Sequence, residues 1–171
     1  MGYPMAANII KNVSKSGHKI EELHVYDAFP GQADRFVEDM GRQKLGGSMK
    51  IKASPNVAEV ATNSNTIILM LPNTSHVESV LTAGSGQGDN IKNGIFAHAS
   101  RGSMIIDCST IDPTSSRKFN ETARHEYGLR MLDCPVSGGV TGADAGTLTF
   151  MIGSEEKDFE EAKVCTIQYL S

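Results

Sequence analysis

Residues 66–72 read T-I-I-L-M-L-P, and residues 104–107 read M-I-I-D. Neither stretch alternates polar with apolar residues, as a strand with one wet face would. They read as strands covered on both faces, the condition of a parallel sheet flanked by helices. Working outward, similar short runs recur at 23–26, 49–53, 129–132 and 147–152, and the run at 104–107 extends back to 103. Helical patterns lie between them at 5–15, 32–38, 56–61, 74–81, 114–127 and 155–163. Pro55 and Pro113 stand near helix starts, where a missing N–H costs little, and Gly17 and Gly128 stand just past helix ends. Strand–helix alternation along the chain predicts an α/β domain on a mostly parallel sheet. The sequence holds no internal repeat. Its Gly/Ser-rich patch at 83–89 contains Gly84, Gly86 and Gly88. No strand leads into those glycines, so the patch reads as a surface loop rather than a phosphate-binding turn.

A chain of 171 residues suits one domain with a real core, and 39% hydrophobic with 21% charged residues fits a soluble protein. A net charge of -4 argues against a nucleic-acid partner, which would want a basic face. No apolar run approaches the length of a membrane helix, so no membrane partner is expected. The three cysteines, Cys108, Cys134 and Cys165, are odd in number and form no C-x-x-C pair. That pattern reads as reduced thiols without a metal framework. The start of the chain shows neither a cleavable signal nor an Arg-rich presequence.

Residues 133–148 read D-C-P-V-S-G-G-V-T-G-A-D-A-G-T-L. Such a run is a poor core and is expected to form a loop. Its glycines let backbone amides approach a small anion closely. A tight glycine turn between two strands is the plain alternative. The run resembles the substrate-binding signature of the β-hydroxyacid dehydrogenases, a family related to 6-phosphogluconate dehydrogenase. Four more stretches carry the resemblance: M-G-Y-P-M-A-A-N at 1–8, V-Y-D-A-F-P at 25–30, M-L-P at 70–72 and D-C-S-T-I-D-P at 107–113. Together they look most like the 3-hydroxyisobutyrate dehydrogenase branch, from Met1 to about Lys163. The resemblance implies a Rossmann-like, doubly wound sheet of order 3-2-1-4-5-6. It further implies that residues 1–163 are an NAD-binding domain without its first strand and that 164–171 are a non-family tail. A helical catalytic domain is then expected to be absent from the chain.

For the cofactor, the resemblance aligns Met1 and Gly2 with the end of a G-x-G-x-x-G turn, whose amides and following helix hold a pyrophosphate. Taken alone, residues 1–10 are only a helix with small residues on one side. Asp27 falls where a Rossmann domain carries the acid that bonds the adenosine ribose. A carboxylate there favours NAD over NADP, although an Asp ending a strand is also a common turn former. Leu71 and Pro72 match the motif that packs on the dinucleotide, and Thr110 matches a hydroxyl near the nicotinamide ribose. His76 falls where eukaryotic relatives carry a cofactor-contacting Asn, and otherwise reads as an exposed helix residue.

The implied reaction moves a hydride from the hydroxyl-bearing carbon of a β-hydroxy acid to NAD. For 3-hydroxyisobutyrate the product is methylmalonate semialdehyde, a step of valine breakdown in the mitochondrial matrix. Ser137, Gly138 and Gly139 match the grip on the substrate's carboxylate and hydroxyl. The family's proton acceptor is a lysine in a G-x-x-x-K-x-x-N setting, which no lysine here occupies; Lys163 belongs to an ordinary solvated helix. Ser137 has no histidine partner legible in the sequence, and Asp133 reads as a strand-end acid. No catalytic residue is therefore expected in the chain, and its own activity should be feeble. Two other readings stay open: a tartronate semialdehyde or glyoxylate reductase, and a non-catalytic nucleotide-binding fragment. Homo-oligomerisation is expected only of a complete protein.

Overall fold

β4 (Met104–Asp107) is buried along its whole length, and the rest of the domain is layered on its two faces. The computed structural model describes residues 1–16 (side chains to 13), 20–44, 49–82, 93–154, 156–163 and 165–166. Gly17, the 83–89 patch, Glu155 and most of the 164–171 tail lie outside the described residues. β4 pairs in parallel with β3 (Thr66–Leu69) on one side and β5 (Arg130–Asp133) on the other. A second parallel pair joins β1 (Glu22–Val25) to β2 (Lys50–Ala53). Two short antiparallel strands, β6 (Val136–Ser137) and β7 (Thr149–Phe150), form a third sheet.

The sheet is bonded in three separate parts, a division in keeping with the expected 3-2-1-4-5-6 order without its first strand. The antiparallel β6–β7 pair, set apart from the main sheet, is the departure. The pair β2–β1 and the trio β3–β4–β5 are the two arms of a 3-2-1-4-5-6 order. Among the described residues no strand is hydrogen-bonded between β1 and β3.

Alternation along β4 sorts its side chains. Met104, Ile106 and Cys108 face one core cluster with Met5, Ile9 and Val13 of α1 (Gly2–Ser16). Ile105 faces a second cluster with Val77 and Leu81 of α4 (Thr74–Thr82) and Phe119 of α6 (Pro113–Thr122). Helices thus cover both faces, as a doubly wound domain requires. Ala7 and Ile10 of α1 enter a third cluster with Phe36 and Met40 of α2 (Gln32–Arg42), beneath β1 and β2. Residues 5, 9 and 13 share a helix face through their i, i+4 spacing, while 7 and 10 sit to one side, so one helix packs on both sheets.

Helix ends follow the expected chemistry. Asn56 caps α3 (Val57–Thr62) by accepting from the Glu59 N–H at 2.9 Å. Asp112 caps α6 by accepting from the Ser115 N–H at 2.8 Å, with Pro113 in the first turn. The predicted helix 114–127 continues past Thr122 as a single π-turn, Ala123–Tyr127, which Gly128 ends at φ 66°. One short helix, α5 (Ile95–His98), was not anticipated.

The largest local correction concerns 133–148. Its second half is not a loop but α7 (Gly139–Ala145), set off by Gly138 at φ 134° and closed by Gly146 at φ 67°. The helix forms because its buried Gly142 and Ala143 pack inward, a tertiary gain that composition does not reveal. Gly146 also delays the following strand, so the expected 147–152 run pairs only over β7, with one isolated bridge from Gly153 to Asp133. α8 (Glu156–Lys163) completes the described fold; Arg130 ties it to β5 through Glu161 at 2.5 Å and Asp158 at 3.3 Å.

Candidate cofactor and substrate site

The turns at the carboxyl ends of β3 and β4 are tied together by side-chain bonds. Ser109 is fully buried; its Oγ accepts the Leu71 N–H at 3.0 Å, and its own N–H donates to Asp107 Oδ1 at 3.0 Å. Beyond it, the Asp112 N–H donates to Thr74 Oγ1 at 3.2 Å, tying the β4 turn to the start of α4. The turns carrying Leu71–Pro72 and Thr110 are therefore one connected piece, with Thr110 exposed.

α1 enters from the side. A Cβ added at Gly2 would stand 3.9 Å from Met70 Cβ, so the helix start abuts the β3 turn, and Met1 packs in the same cluster as Met70. No acidic residue occupies the first turn of this 15-residue helix, leaving the positive end of its dipole uncompensated. Further along, buried Asn8 donates from Nδ2 to the Ala143 carbonyl at 2.8 Å, clasping α1 to α7. The helix that starts beside Leu71–Pro72 is thereby fixed to the helix that follows Ser137, Gly138 and Gly139. Ser137 itself is exposed on β6, opposite Thr149.

Two site candidates stand at the flanks. Asp27 follows β1 on the other sheet, and its Oδ1 accepts the Phe29 N–H at 2.8 Å, so it forms a turn there. His76 is exposed on α4, where its N–H donates to Asn73 Oδ1 at 3.2 Å and its Nδ1 lies 2.7 Å from the same oxygen.

Asp107 and Asp133 are register partners at the ends of β4 and β5. Burial pushes the Asp107 carboxyl above the usual carboxylate range, opposed by hydrogen bonds from Ser109 and reinforced by Asp133. Its Oδ2 is buried without a hydrogen-bond partner. Burial likewise raises Asp133, against a hydrogen bond from Ser116. A cavity of about 330 Å³ opens beside Asp133, with Ser116, Asn120 and Glu121 of α6 on its wall. None of Gly2, Asp27, Leu71, Pro72, Thr110 or Ser137 lines it.

Sequence reasoning missed Asp107, Ser109 and Asn8. The D-x-S spacing of an Asx-type turn was the available signal for the first two. Nothing local marks Asn8, because its partner lies 135 residues away.

Residues 1–167 match the family described as the NAD binding domain of 6-phosphogluconate dehydrogenase. The chain belongs to that family. Its Rossmann-like fold and its cofactor, NAD, are those the sequence led us to expect. A probable mitochondrial 3-hydroxyisobutyrate dehydrogenase of Dictyostelium discoideum is 41% identical over 163 residues, covering 95% of this chain and 43% of that protein. An NAD-dependent L-serine dehydrogenase of Pseudomonas aeruginosa is 37% identical over 163 residues, covering 95% of this chain and 46% of its own length. The solved structure of Mycobacterium tuberculosis 3-hydroxyisobutyrate dehydrogenase with L-serine aligns with a TM-score of 0.71 at 27% identity, over 99% of this chain and 48% of that one. The chain thus spans less than half the length of the curated relatives it matches.

The residues present suit NAD. A glycine at the uncompensated start of a long helix leaves room, and a backbone N–H, that would suit a pyrophosphate. The adjoining strand ends supply apolar surface at Leu71–Pro72 and a hydroxyl at Thr110.

Proposed function

We propose that this NAD-binding domain serves a β-hydroxyacid dehydrogenase that oxidises 3-hydroxyisobutyrate to methylmalonate semialdehyde. The observation that carries the reading is the meeting of α1, the two bonded strand turns and the Ser137–Gly139 segment. They meet at the carboxyl end of a parallel sheet, where open α/β sheets take their ligands. In this reading Met1, Gly2 and the first turn of α1 hold the pyrophosphate, and Leu71 and Pro72 pack on the dinucleotide. Thr110 bonds the nicotinamide ribose, Asp27 bonds the adenosine ribose, and His76 adds a contact from the flank. Bound NAD supplies the hydride acceptor. Ser137 with the amides of Gly138 and Gly139 orients the substrate's carboxylate and hydroxyl.

Among the described residues no side chain stands out as a proton acceptor. Lys163 is spent on an exposed ion pair with Glu160 at 3.7 Å. General base catalysis typically contributes ~100- to 10,000-fold, so the domain by itself should bind NAD and turn over little. A role in valine breakdown within mitochondria belongs to the same reading, supported by the mitochondrial relatives. L-serine, itself a β-hydroxy acid, is the second substrate reading, favoured by the L-serine dehydrogenase among the relatives.

Kinetics on the protein that carries this domain test the assignment. Ser137→Ala should lower kcat/KM for 3-hydroxyisobutyrate by about 10- to 100-fold, the worth of a hydrogen bond to a charged group, with NAD affinity unchanged. Equal losses in both would remove Ser137 from the substrate. A higher kcat/KM for L-serine would replace the substrate and keep the site. Asp27→Ala should narrow the preference for NAD over NADP; an unaltered ratio would take Asp27 off the ribose.

A further inference from the structure

Cys108 and Cys134 directly follow the register partners Asp107 and Asp133 on adjacent parallel strands, and the Cys134 N–H continues the ladder to the Asp107 carbonyl at 2.8 Å. Both side chains are 0% exposed and point into one apolar cluster with Met104, Ile106 and Leu132. Neighbouring strands hold paired Cα atoms ~4.8 Å apart, inside the ~4.4–6.8 Å that a disulfide spans. We propose that Cys108 and Cys134 are a redox-modification site, a buried dithiol that a hydroperoxide closes into a disulfide.

The pair is polarised. Cys108 is held as the thiol, first by donating to Cys134 and then by burial. Accepting that bond draws Cys134 down from the ordinary thiol range, against its burial and the nearby Asp133 and Asp107. Cys134 is therefore the sulfur that reacts first. It attacks one oxygen of the hydroperoxide: the S–O bond forms, the O–O bond breaks, and the Cys134 proton leaves with the departing oxygen as water or an alcohol. The Cys108 sulfur then displaces water from the sulfenic acid, forming S–S and breaking S–O. Two thiols and one hydroperoxide give a disulfide and two hydroxylic products, so atoms and electrons balance. Hydrogen peroxide, close to water in size, enters through local opening of the strand ends.

The position gives the bond a consequence. Cys108 immediately precedes Ser109–Thr110, and Cys134 immediately precedes the turn into Ser137. A disulfide would join the stems of the two segments assigned to cofactor and substrate, whichever hydroxy acid the protein oxidises. Cys165, half-buried against the same cluster, is the competing thiol.

Trypsin separates the three sulfurs: cleavage after Arg101, Arg117, Arg130, Lys157 and Lys163 puts them in 102–117, 131–157 and 164–171. The folded chain is treated with hydrogen peroxide, its remaining thiols are alkylated in denaturant, and the digest is weighed. We expect 102–117 joined to 131–157, lighter by two hydrogens and separable by a dithiol reductant, with Cys165 alkylated. The link should form about tenfold or more faster in the folded chain than in the urea-unfolded one, because the strands pre-position the sulfurs. A link to 164–171, an equal rate in urea, or stable oxyacids at Cys134 with Cys108 free would overturn the proposal. Cys165→Ser should leave the link intact, and its loss there would do the same.

Discussion

At Ser109 one buried hydroxyl meets the needs of two strand ends. It accepts the Leu71 N–H and donates to Asp107, while the Ser109 N–H reaches the same carboxylate. Replacing it with Ala would leave the Leu71 N–H unpaired in a dry place, which costs ~1–3 kcal/mol. Ser109→Ala should therefore lower the unfolding free energy measured in urea by that amount, moving the midpoint down, and weaken NAD binding in calorimetry, since Leu71 and Pro72 lose their anchor. An unshifted midpoint would mean that water replaces the hydroxyl. The residue scale is also where the sequence was least explicit. Asp27, Asp107 and Asp133 all end apolar runs, and nothing in their neighbours distinguishes them. Burial does: Asp107 is 1% exposed and bonded to Ser109, whereas Asp27 is exposed and turns the chain. That difference comes from helices packed over β4, which a residue's own neighbours do not encode.

Strands and helices were largely legible as elements, and the exceptions have one cause. Runs at 66–71 and 103–107 betrayed themselves because burial on both faces demands apolar residues throughout. α7 was hidden because its helical state depends on Gly142 and Ala143 packing inward and on Asn8 at the Ala143 carbonyl. The pairing of β1 with β2 was implied by the 3-2-1-4-5-6 order of the family resemblance, and its exposed face carries a charge cluster. Glu22 meets Lys52 at 2.6 Å, His24 at 3.2 Å and Lys50 at 3.4 Å. Lys52 foremost, then His24 and Lys50, hold the Glu22 carboxyl down to about 2. A depressed folded-state value means the contribution is present above the unfolded value of ~4.3 and disappears as pH falls through the folded one. Amide exchange in β1 and β2 should accelerate between about pH 4 and pH 2 more in the native chain than in Glu22→Gln. Parallel profiles for the two would show the cluster to be solvent-screened and idle.

On the scale of the molecule, α1 is the part that joins the sheets. Ile10 is 0% exposed beneath β1 and β2, while Met5, Ile9 and Val13 pack under β4 and β5. Ile10→Ala should destabilise the chain by ~2–5 kcal/mol, the range for deleting a buried aliphatic side chain. The loss should fall more heavily on β1–β2 than on β3–β5, as residue-resolved exchange would register; a uniform loss would mean that the two sheets already melt together. The sequence reported the class of fold and the order of its elements through periodicity alone. The division of the sheet came from the family resemblance, through the order 3-2-1-4-5-6 without its first strand, because hydrogen-bond pairing across a gap is a property of no single segment.

α1 begins beside Met70 at one end of this division and packs under both halves along its length. A dinucleotide bound at its first turn would bridge Asp27 on one sheet and Thr110 on the other, and so bind only when the halves are in register. At a hundredfold excess over its dissociation constant such a ligand adds ~2.7 kcal/mol to the state it selects. That free energy would reach the junction as well as the turns it touches. Two units able to open separately would become one cooperative unit, so the cofactor would act as the mortar between them.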